Sequence, residues 1–281
     1  MLGLATASRS VSFRGQIRLI RFVLPSSRLT GITTVVQLPD KRRFHIDAGS
    51  YLEWYLLFFG PYEPEITNLL SSLLDQSSTV VDVGANVGIH TISMAKLAPA
   101  GEVLAFEPHP VTVKRLHANL ALNEIDNVRV FQVALLDDER EVSLYDSDGS
   151  NRGMATLHSY EGWSEMTVPG ITLDEVVRTE GVPAIDLMKI DVEGYESQVI
   201  AGASAVLARD RPSVIFEYVD WAWRNCGYTL GQTMERLRYI GYDEFYLIER
   251  DGVIPLPDPL LVSGNILALG RSAQGRLPNP R

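Results

Sequence analysis

A short apolar strand that runs into a small-residue turn and then a helix constrains this chain more than any other stretch: Thr79-Val-Val-Asp-Val-Gly-Ala-Asn-Val-Gly-Ile-His90. Val80, Val81 and Val83 read as a buried parallel strand. Gly84 and Gly88 let the backbone bend sharply and approach a ligand with no Cβ in the way. A helix expected from about Val87 to Leu97 then presents free N–H groups to whatever lies over the turn. This is the sequence form of the first βα unit of a nucleotide-binding sheet.

The next apolar run, Glu102 to Glu107, ends in a carboxylate some twenty residues beyond the glycine turn. An acidic side chain there can accept hydrogen bonds from both ribose hydroxyls of an adenosine. The glycines do not follow the G-x-G-x-x-G order of a dinucleotide fingerprint, so a mononucleoside fits better than a pyrophosphate. Asp82, two residues before the first glycine, would repel a diphosphate and suits a positively charged ligand such as the sulfonium or ammonium of S-adenosylmethionine. The alternative is that Asp82 only caps the following turn.

With 281 residues, the chain can bury a substantial core as one large α/β domain with an appendage. Thirty-five acids against twenty-five Lys and Arg make a nucleic-acid backbone an unsuitable partner for the body. The single cysteine, Cys226, excludes an intramolecular disulfide and suits a reducing compartment. Residues 1–43 hold eight Lys and Arg against one Asp, a net of +7 out of a chain total of −10, so the remainder carries −17. Within them Gln16 to Leu24 interleaves Arg18 and Arg21 with apolar residues and reads as a packed element, with a membrane-surface patch as the alternative. No stretch reaches about twenty uninterrupted apolar residues. A soluble cytoplasmic protein without stable membrane insertion is the expectation, with a removable targeting extension as the lesser option.

Farther along, Val35–Pro39 and Arg43–Asp47 flank Asp40-Lys-Arg and read as a small hairpin. Tyr51 to Tyr62 is strongly aromatic and leads to an amphipathic helix from about Glu63 to Leu74. After Glu107 the pattern predicts helix Val111–Leu122, strands Val128–Leu135 and Glu141–Tyr145, helix Leu173–Val177, strand Ile185–Ile190, helix Tyr195–Leu207 and strand Ser213–Tyr218. Helix Leu230–Ile240 follows, and Phe245–Glu249 with Asn265–Leu269 closes the sheet as an antiparallel hairpin. Repeated βα alternation predicts a mainly parallel sheet with helices on both faces. Arg271 to Arg281 reads as a loose tail.

Six motifs in order give the chain a resemblance to the FkbM-type S-adenosylmethionine-dependent methyltransferases over about residues 60–270. They are VVDVGANVGIHT at Val80–Thr91, FEPHP at Phe106–Pro110, SNRGMATL at Ser150–Leu157, ITLDEV at Ile171–Val176, LMKIDVEGYE at Leu187–Glu196 and FE at Phe216–Glu217. The resemblance implies a class I methyltransferase, a Rossmann-like seven-stranded sheet whose last strand is antiparallel. It also implies methyl transfer to a hydroxyl of a sugar, polyketide or other small secondary metabolite. Residues 1–59 match poorly and form an N-terminal extension for substrate or oligomer contacts, and residues 271–281 form a flexible tail. The resemblance further suggests that Tyr62, Glu63, Asn151 and Glu217 line the substrate pocket, and that Asn86 lies on the cofactor turn.

Ligands of parallel sheets sit over the C-terminal strand ends, so Asp82, Gly84, Glu107, Ala134, Leu135, Asp191 and Glu193 should converge on one crevice. Methylating an alcohol requires an acceptor for its proton. On an extended strand Lys189, Asp191 and Glu193 share a face. Asp191 or Glu193 is the candidate base, and Lys189 holds a carboxylate ionised or orients the acceptor. Two competing readings stand: a divalent cation bound by two carboxylates, and charges that merely pair and organise the turn at Gly194. His109 after the ribose strand and His90 at the first helix are lone signals, His109 the weaker candidate base. Asn151, between Gly149 and Gly153, reads as a lid or a plain surface turn. Glu63 could equally be a helix-start residue favoured by the dipole. Besides the O-methyltransferase, an NAD-dependent oxidoreductase on a similar fold, a non-catalytic binding domain, a protein methyltransferase and a homo-oligomer stay open at this level.

Overall fold

The computed structural model describes residues 15–147, 155–159, 161–257, 263–273 and 277. In chain order it holds α1 (Gln16–Val23), β1 (Thr33–Gln37), β2 (Arg43–Asp47), α2 (Tyr51–Phe59), α3 (Pro64–Leu73), β3 (Thr79–Val83), α4 (Ile89–Leu97), β4 (Glu102–Phe106), α5 (Pro110–Leu122) and β5 (Val128–Phe131). A small-sheet region follows with β6 (Ala134–Leu135), β7 (Arg140–Asp146), β8 (Ala155–Thr156) and β9 (Ser164–Ile171). The remainder is α6 (Leu173–Glu180), β10 (Leu187–Ile190), α7 (Glu196–Gly202), α8 (Ser204–Asp210), β11 (Ser213–Tyr218), α9 (Asp220–Asn225), α10 (Leu230–Ile240), β12 (Phe245–Glu249), β13 (Gly252–Pro255) and β14 (Gly264–Ala268).

The main sheet runs β13-β12-β14-β11-β10-β3-β4-β5. The five strands from β5 to β11 are parallel, and β14 lies antiparallel between β11 and β12. That is the class I methyltransferase arrangement, extended by β13 as an eighth strand at the edge. The β12 and β13 pair is a hairpin across Arg250-Asp251, and its short second arm gave no alternation strong enough to be read. Strand alternation decides what each face buries. Val81, Val83, Met188, Ile190, Val214 and Phe216 pack beneath α6, α7, α8 and α10. Val80, Val103, Leu187, Ile215 and Leu267 meet Ile66, Leu70 and Met94 of α3 and α4 on the other face. Apolar residues on both faces explain why these strands read as nearly continuous hydrophobic runs.

Two expected elements divide. The run Val128–Leu135 breaks after Phe131: β5 stays in the main sheet, while β6 pairs with β9 in a second, four-stranded sheet ordered β6-β9-β7-β8. The helix expected over Tyr195–Leu207 splits at Ala203. There the backbone of Gly202 lies against the Leu136 carbonyl so closely that a Cβ would stand 1.8 Å from its oxygen. Strand β9 escaped the sequence reading because its outward residues Ser164, Glu165, Thr167 and Pro169 leave only Val168 and Gly170 buried. The expected loose tail opens with an ordered 3-10 turn, Arg271–Ala273, whose Ala273 is buried.

Residues 15–59 form a layer over α4 and α5. Phe44, Ile46, Trp54 and Phe58 share one apolar cluster with Val87, Ile89, Leu116 and Leu120. The outer edge of β2 continues its hydrogen bonding through side chains of α5: Asn119 Oδ1 accepts from His45 N at 2.7 Å and Asn123 Oδ1 from Arg43 N at 2.9 Å. Buried Arg42 donates to the Ile89 carbonyl at 2.9 Å and pairs with Asp40. Helix α1 packs on one side, as the interleaved pattern predicts: Ile20 and, just past its end, Leu24 reach that cluster while Ile17, Leu19, Phe22 and Val23 are exposed. Among the described residues no helix is long and apolar enough to cross a membrane.

Asn119 also donates to the Val87 carbonyl at 2.8 Å and is fully buried. Asn119→Ala therefore leaves two backbone groups unpaired, at about 1–3 kcal/mol each. Urea unfolding should show stability reduced by about 2–6 kcal/mol; an unchanged transition would contradict the role assigned to this amide.

Candidate functional site

Strand register sets the site. Val83 pairs with Phe106 and with Ile190, Ile190 with Phe216, and Glu217 with Asn265. One step past these pairs, Glu107, Gly84, Asp191, Glu217 and Asn265 stand side by side along one edge of the sheet. A cavity of about 280 Å³ opens there, bounded by these tips, by the 50–63 segment and by the small sheet through Leu144, Thr156 and Leu157.

Gly84 takes φ 79° and passes so near Asp191 that a Cβ would lie 1.9 Å from the Asp191 carbonyl oxygen. Asn86, also left-handed at φ 49°, turns its N–H onto Glu107 Oε2 at 3.0 Å, and His109 N meets Oε1 at 2.9 Å. Each carboxylate oxygen thus keeps a further lone pair for a ligand hydroxyl. Burial pushes Glu107 up to about 7, against these two N–H bonds. Thr91 donates to Asp82 Oδ2 at 2.6 Å, while Asp82 Oδ1 is buried with no partner on the cavity wall. An orphaned carboxylate oxygen, a carboxylate with lone pairs left for hydroxyls and the apolar walls of Phe106, Val133, Ala134 and Leu135 fit a cationic nucleoside cofactor.

At the other end, buried Lys189 donates to Asp191 Oδ2 at 3.0 Å. Burial opposes its charge, yet the carboxylates of Asp191, Asp82 and Glu63 hold the ammonium above its ordinary value. Strand β10 ends at Ile190, so Glu193 does not share an extended face with this pair. It stands in a left-handed turn, φ 56°, before Gly194 at φ 105°. Glu196 Oε1 braces the turn by accepting from Val192 N at 3.0 Å and Gly194 N at 3.3 Å. Burial and then the Asp191 charge push Glu193 to about 7. Burial, with Asp191, Glu193, Glu196 and Glu63 adding like charge, pushes Glu217 to about 8.

Glu63 and His90, singled out separately in the sequence, meet across the cavity rim: Nε2 stands 3.1 Å from Glu63 Oε2, and Asn265 Nδ2 donates to Oε1 at 3.2 Å. Burial raises the Glu63 carboxyl, but hydrogen bonding and charge from His90, with Lys189 and Asn265, bring it below its ordinary value. Glu63 sits at φ 42° before α3. Tyr62, Glu63, Asp82, Gly84, Asn86, Glu107, Ala134, Lys189, Asp191, Glu193 and Glu217 all line the cavity.

Gly88 and His109 do not line it. Gly88 opens α4 with the Leu116 side chain against its Cα. His109 caps α5, its Nδ1 accepting from Thr112 N at 3.4 Å, with Nε2 3.4 Å from Asp146. The imidazole is engaged in holding a helix end rather than facing the cavity. Asn151, with Gly149 and Gly153, lies outside the described residues. Among the described residues no group of three or more His, Cys, Asp and Glu side chains could hold a metal ion. The sequence reading missed Ser50, Leu52, Tyr195 and Asn265. Of these, Ser50, Leu52 and Tyr195 are on the cavity wall, while Asn265, which carried no motif, reaches the site through Glu63.

The profile of the methyltransferase FkbM domain matches residues 82–244, more than half of the chain. Methyltransferase sdnD of Sordaria araneosa is 29% identical over 204 residues, 61% of this chain and 77% of that protein. The 2-O-methyltransferase NoeI of Sinorhizobium fredii is 29% identical over 166 residues, 53% of this chain and 67% of its own length. Hexuronic acid methyltransferase AglP of Haloferax volcanii is 30% identical over 145 residues, 52% of this chain and 58% of its own. The strand order, the convergence of the strand tips and the span of the profile match agree, and the chain belongs to the FkbM methyltransferase domain family.

Proposed function

We propose that this protein transfers the methyl group of S-adenosylmethionine to a hydroxyl oxygen of a small acceptor. The observation that carries the reading is the row of strand tips, which joins a ribose-binding carboxylate and a proton-accepting carboxylate in one cavity. A relative that is named a 2-O-methyltransferase supports oxygen as the acceptor atom. The oxidoreductase alternative falls away with the family.

S-adenosylmethionine supplies an already electrophilic methyl group, so the chain's work is to hold, align and take up a proton. Glu107 holds the ribose hydroxyls, and Asp82 Oδ1 turns its unpaired oxygen to the cofactor's positive charge. Gly84 and Asn86 shape the turn beneath it. Lys189 donates to Asp191 and fixes it in place. Glu193, in a rigid turn and close to half-ionised at neutrality, receives the acceptor's proton at its carboxylate. Residues 60–270 form the catalytic domain, and the 1–59 extension contributes Ser50, Tyr51 and Leu52 to the acceptor wall. The single cysteine fits a cytoplasmic setting for this activity.

Glu107→Gln keeps the shape but removes the charge, so loss of about 1.5–3 kcal/mol of charged hydrogen bonding should raise the S-adenosylhomocysteine dissociation constant roughly ten- to hundredfold. Titration calorimetry reads this directly, and unchanged affinity would remove Glu107 from the cofactor site. For the base, a carboxyl held near 7 is protonated and inactive below that pH and ionised above it. The kcat/KM should therefore rise with pH through about 7, and in Glu193→Gln the rise should vanish with most of kcat while KM changes little. A Glu193→Gln enzyme with the parent profile would move the base elsewhere.

A further inference from the structure

We propose that the acceptor is an amine-bearing polyol, whose protonated amine lies beside the hydroxyl to be methylated. This rests on the methyltransferase reading above and names the substrate class of the same site.

The charges around the acceptor end do not balance. Among the described residues that line it, the ammonium of Lys189 is already committed, 3.0 Å from Asp191 with its side chain 3% exposed, and His90 lies 3.1 Å from Glu63. Glu193 and Glu217 remain, both half-buried and both on the cavity wall, and neither meets a cation or a hydrogen-bond donor among the described residues. The groups facing Glu217 from neighbouring elements are Asp191, Glu193, Glu196 and Glu63, and the charge facing Glu193 is Asp191. Two such carboxyls in a partly dry pocket call for positive charge from the ligand.

A second observation points the same way. Of the buried side-chain atoms without partners, those on the cavity wall are Asp82 Oδ1 and His90 Nδ1. His90 sets Nε2 against Glu63 and leaves Nδ1 without a partner among the described residues. Glu193 and Glu217 lack hydrogen-bond donors among the described residues, and hydroxyls and an ammonium bring them where a carboxylate does not. The aromatic wall suits the same ligand. Tyr62, held edge-on by Tyr55 at 5.6 Å and 89°, lines the cavity and can take a ring face or a cation. A carboxylate-bearing acceptor would meet Glu193 and Glu217, which face no cation among the described residues.

The proton balance closes within the site. An ammonium draws both carboxyls to their ionised form, one of them pairs with it, and the other takes the hydroxyl proton as the oxygen gains the methyl group.

The test is methyl transfer from radiolabelled S-adenosylmethionine, catalysed by the full chain at neutral pH, to sugars matched in shape and differing in charge. Glucosamine and 2-deoxystreptamine carry the amine, glucose and N-acetylglucosamine are neutral, and glucuronate is anionic. Amine-bearing acceptors should exceed neutral ones roughly tenfold or more in kcat/KM, the worth of one charge-assisted contact, with glucuronate lowest. Glu217→Gln should bring amine-bearing and neutral acceptors close to parity while S-adenosylhomocysteine binding, read by calorimetry, is retained. Neutral sugars or glucuronate methylated as well as the amines overturn the proposal. So does a sample that binds S-adenosylhomocysteine and accepts no amine. A folded sample that does not bind S-adenosylhomocysteine overturns the methyltransferase reading itself, and this assignment with it.

Discussion

Where Gly84 crosses Asp191, the backbone carbonyl of one strand tip occupies the space that a side chain on the other would fill. That close approach joins β3 to β10 at the height where both strands end. Because the pairing fixes Lys189 opposite Asp82 and Ile190 opposite Val83, it also fixes which residues leave the sheet together. Glu107, Asp191 and Glu217 are brought side by side by register, not by contacts of their own. The cofactor half of the cavity then needs few side chains: two left-handed turn residues, Gly84 and Asn86, and one carboxylate held by two backbone N–H groups.

The acceptor half rests on different physics. Its carboxylates are turned inward by a braced turn and a strand end, and burial sets them against one another. Lys189 stabilises Asp191 but is spent in doing so. The result is a cavity in which one end is neutralised by pairing and the other holds unmet negative charge, a gradient that orients a ligand before any close contact forms.

The parts legible in the sequence are those in which one short segment carries its own signal. The βα unit at 79–97, the run ending in Glu107 and helix Leu230–Ile240 each combine a buried periodicity with a chemical stop, and each appears where it was read. The rest depends on residues far apart in the chain. Nothing at Gly202 signals that Leu136 will press against it, so the helix break there is invisible locally. Glu63 and His90 were each ambiguous alone, and their pairing exists only because α3 and α4 start at neighbouring points of the sheet edge. His109 illustrates the converse: an imidazole beside a ribose strand invites a catalytic reading, whereas the Pro110 helix start gives it a capping task.

The amides of Asn119 and Asn123 have an effect that reaches past the protein's own stability. A strand at the rim of a sheet ordinarily offers a row of free donors and acceptors to any extended chain that drifts by. On β2 the Arg43 and His45 groups are already taken by α5, so the helix stands in for a neighbouring strand. The small hairpin is thus closed on that side to strand addition, and the layer over the nucleotide unit can remain thin without becoming a template for aggregation.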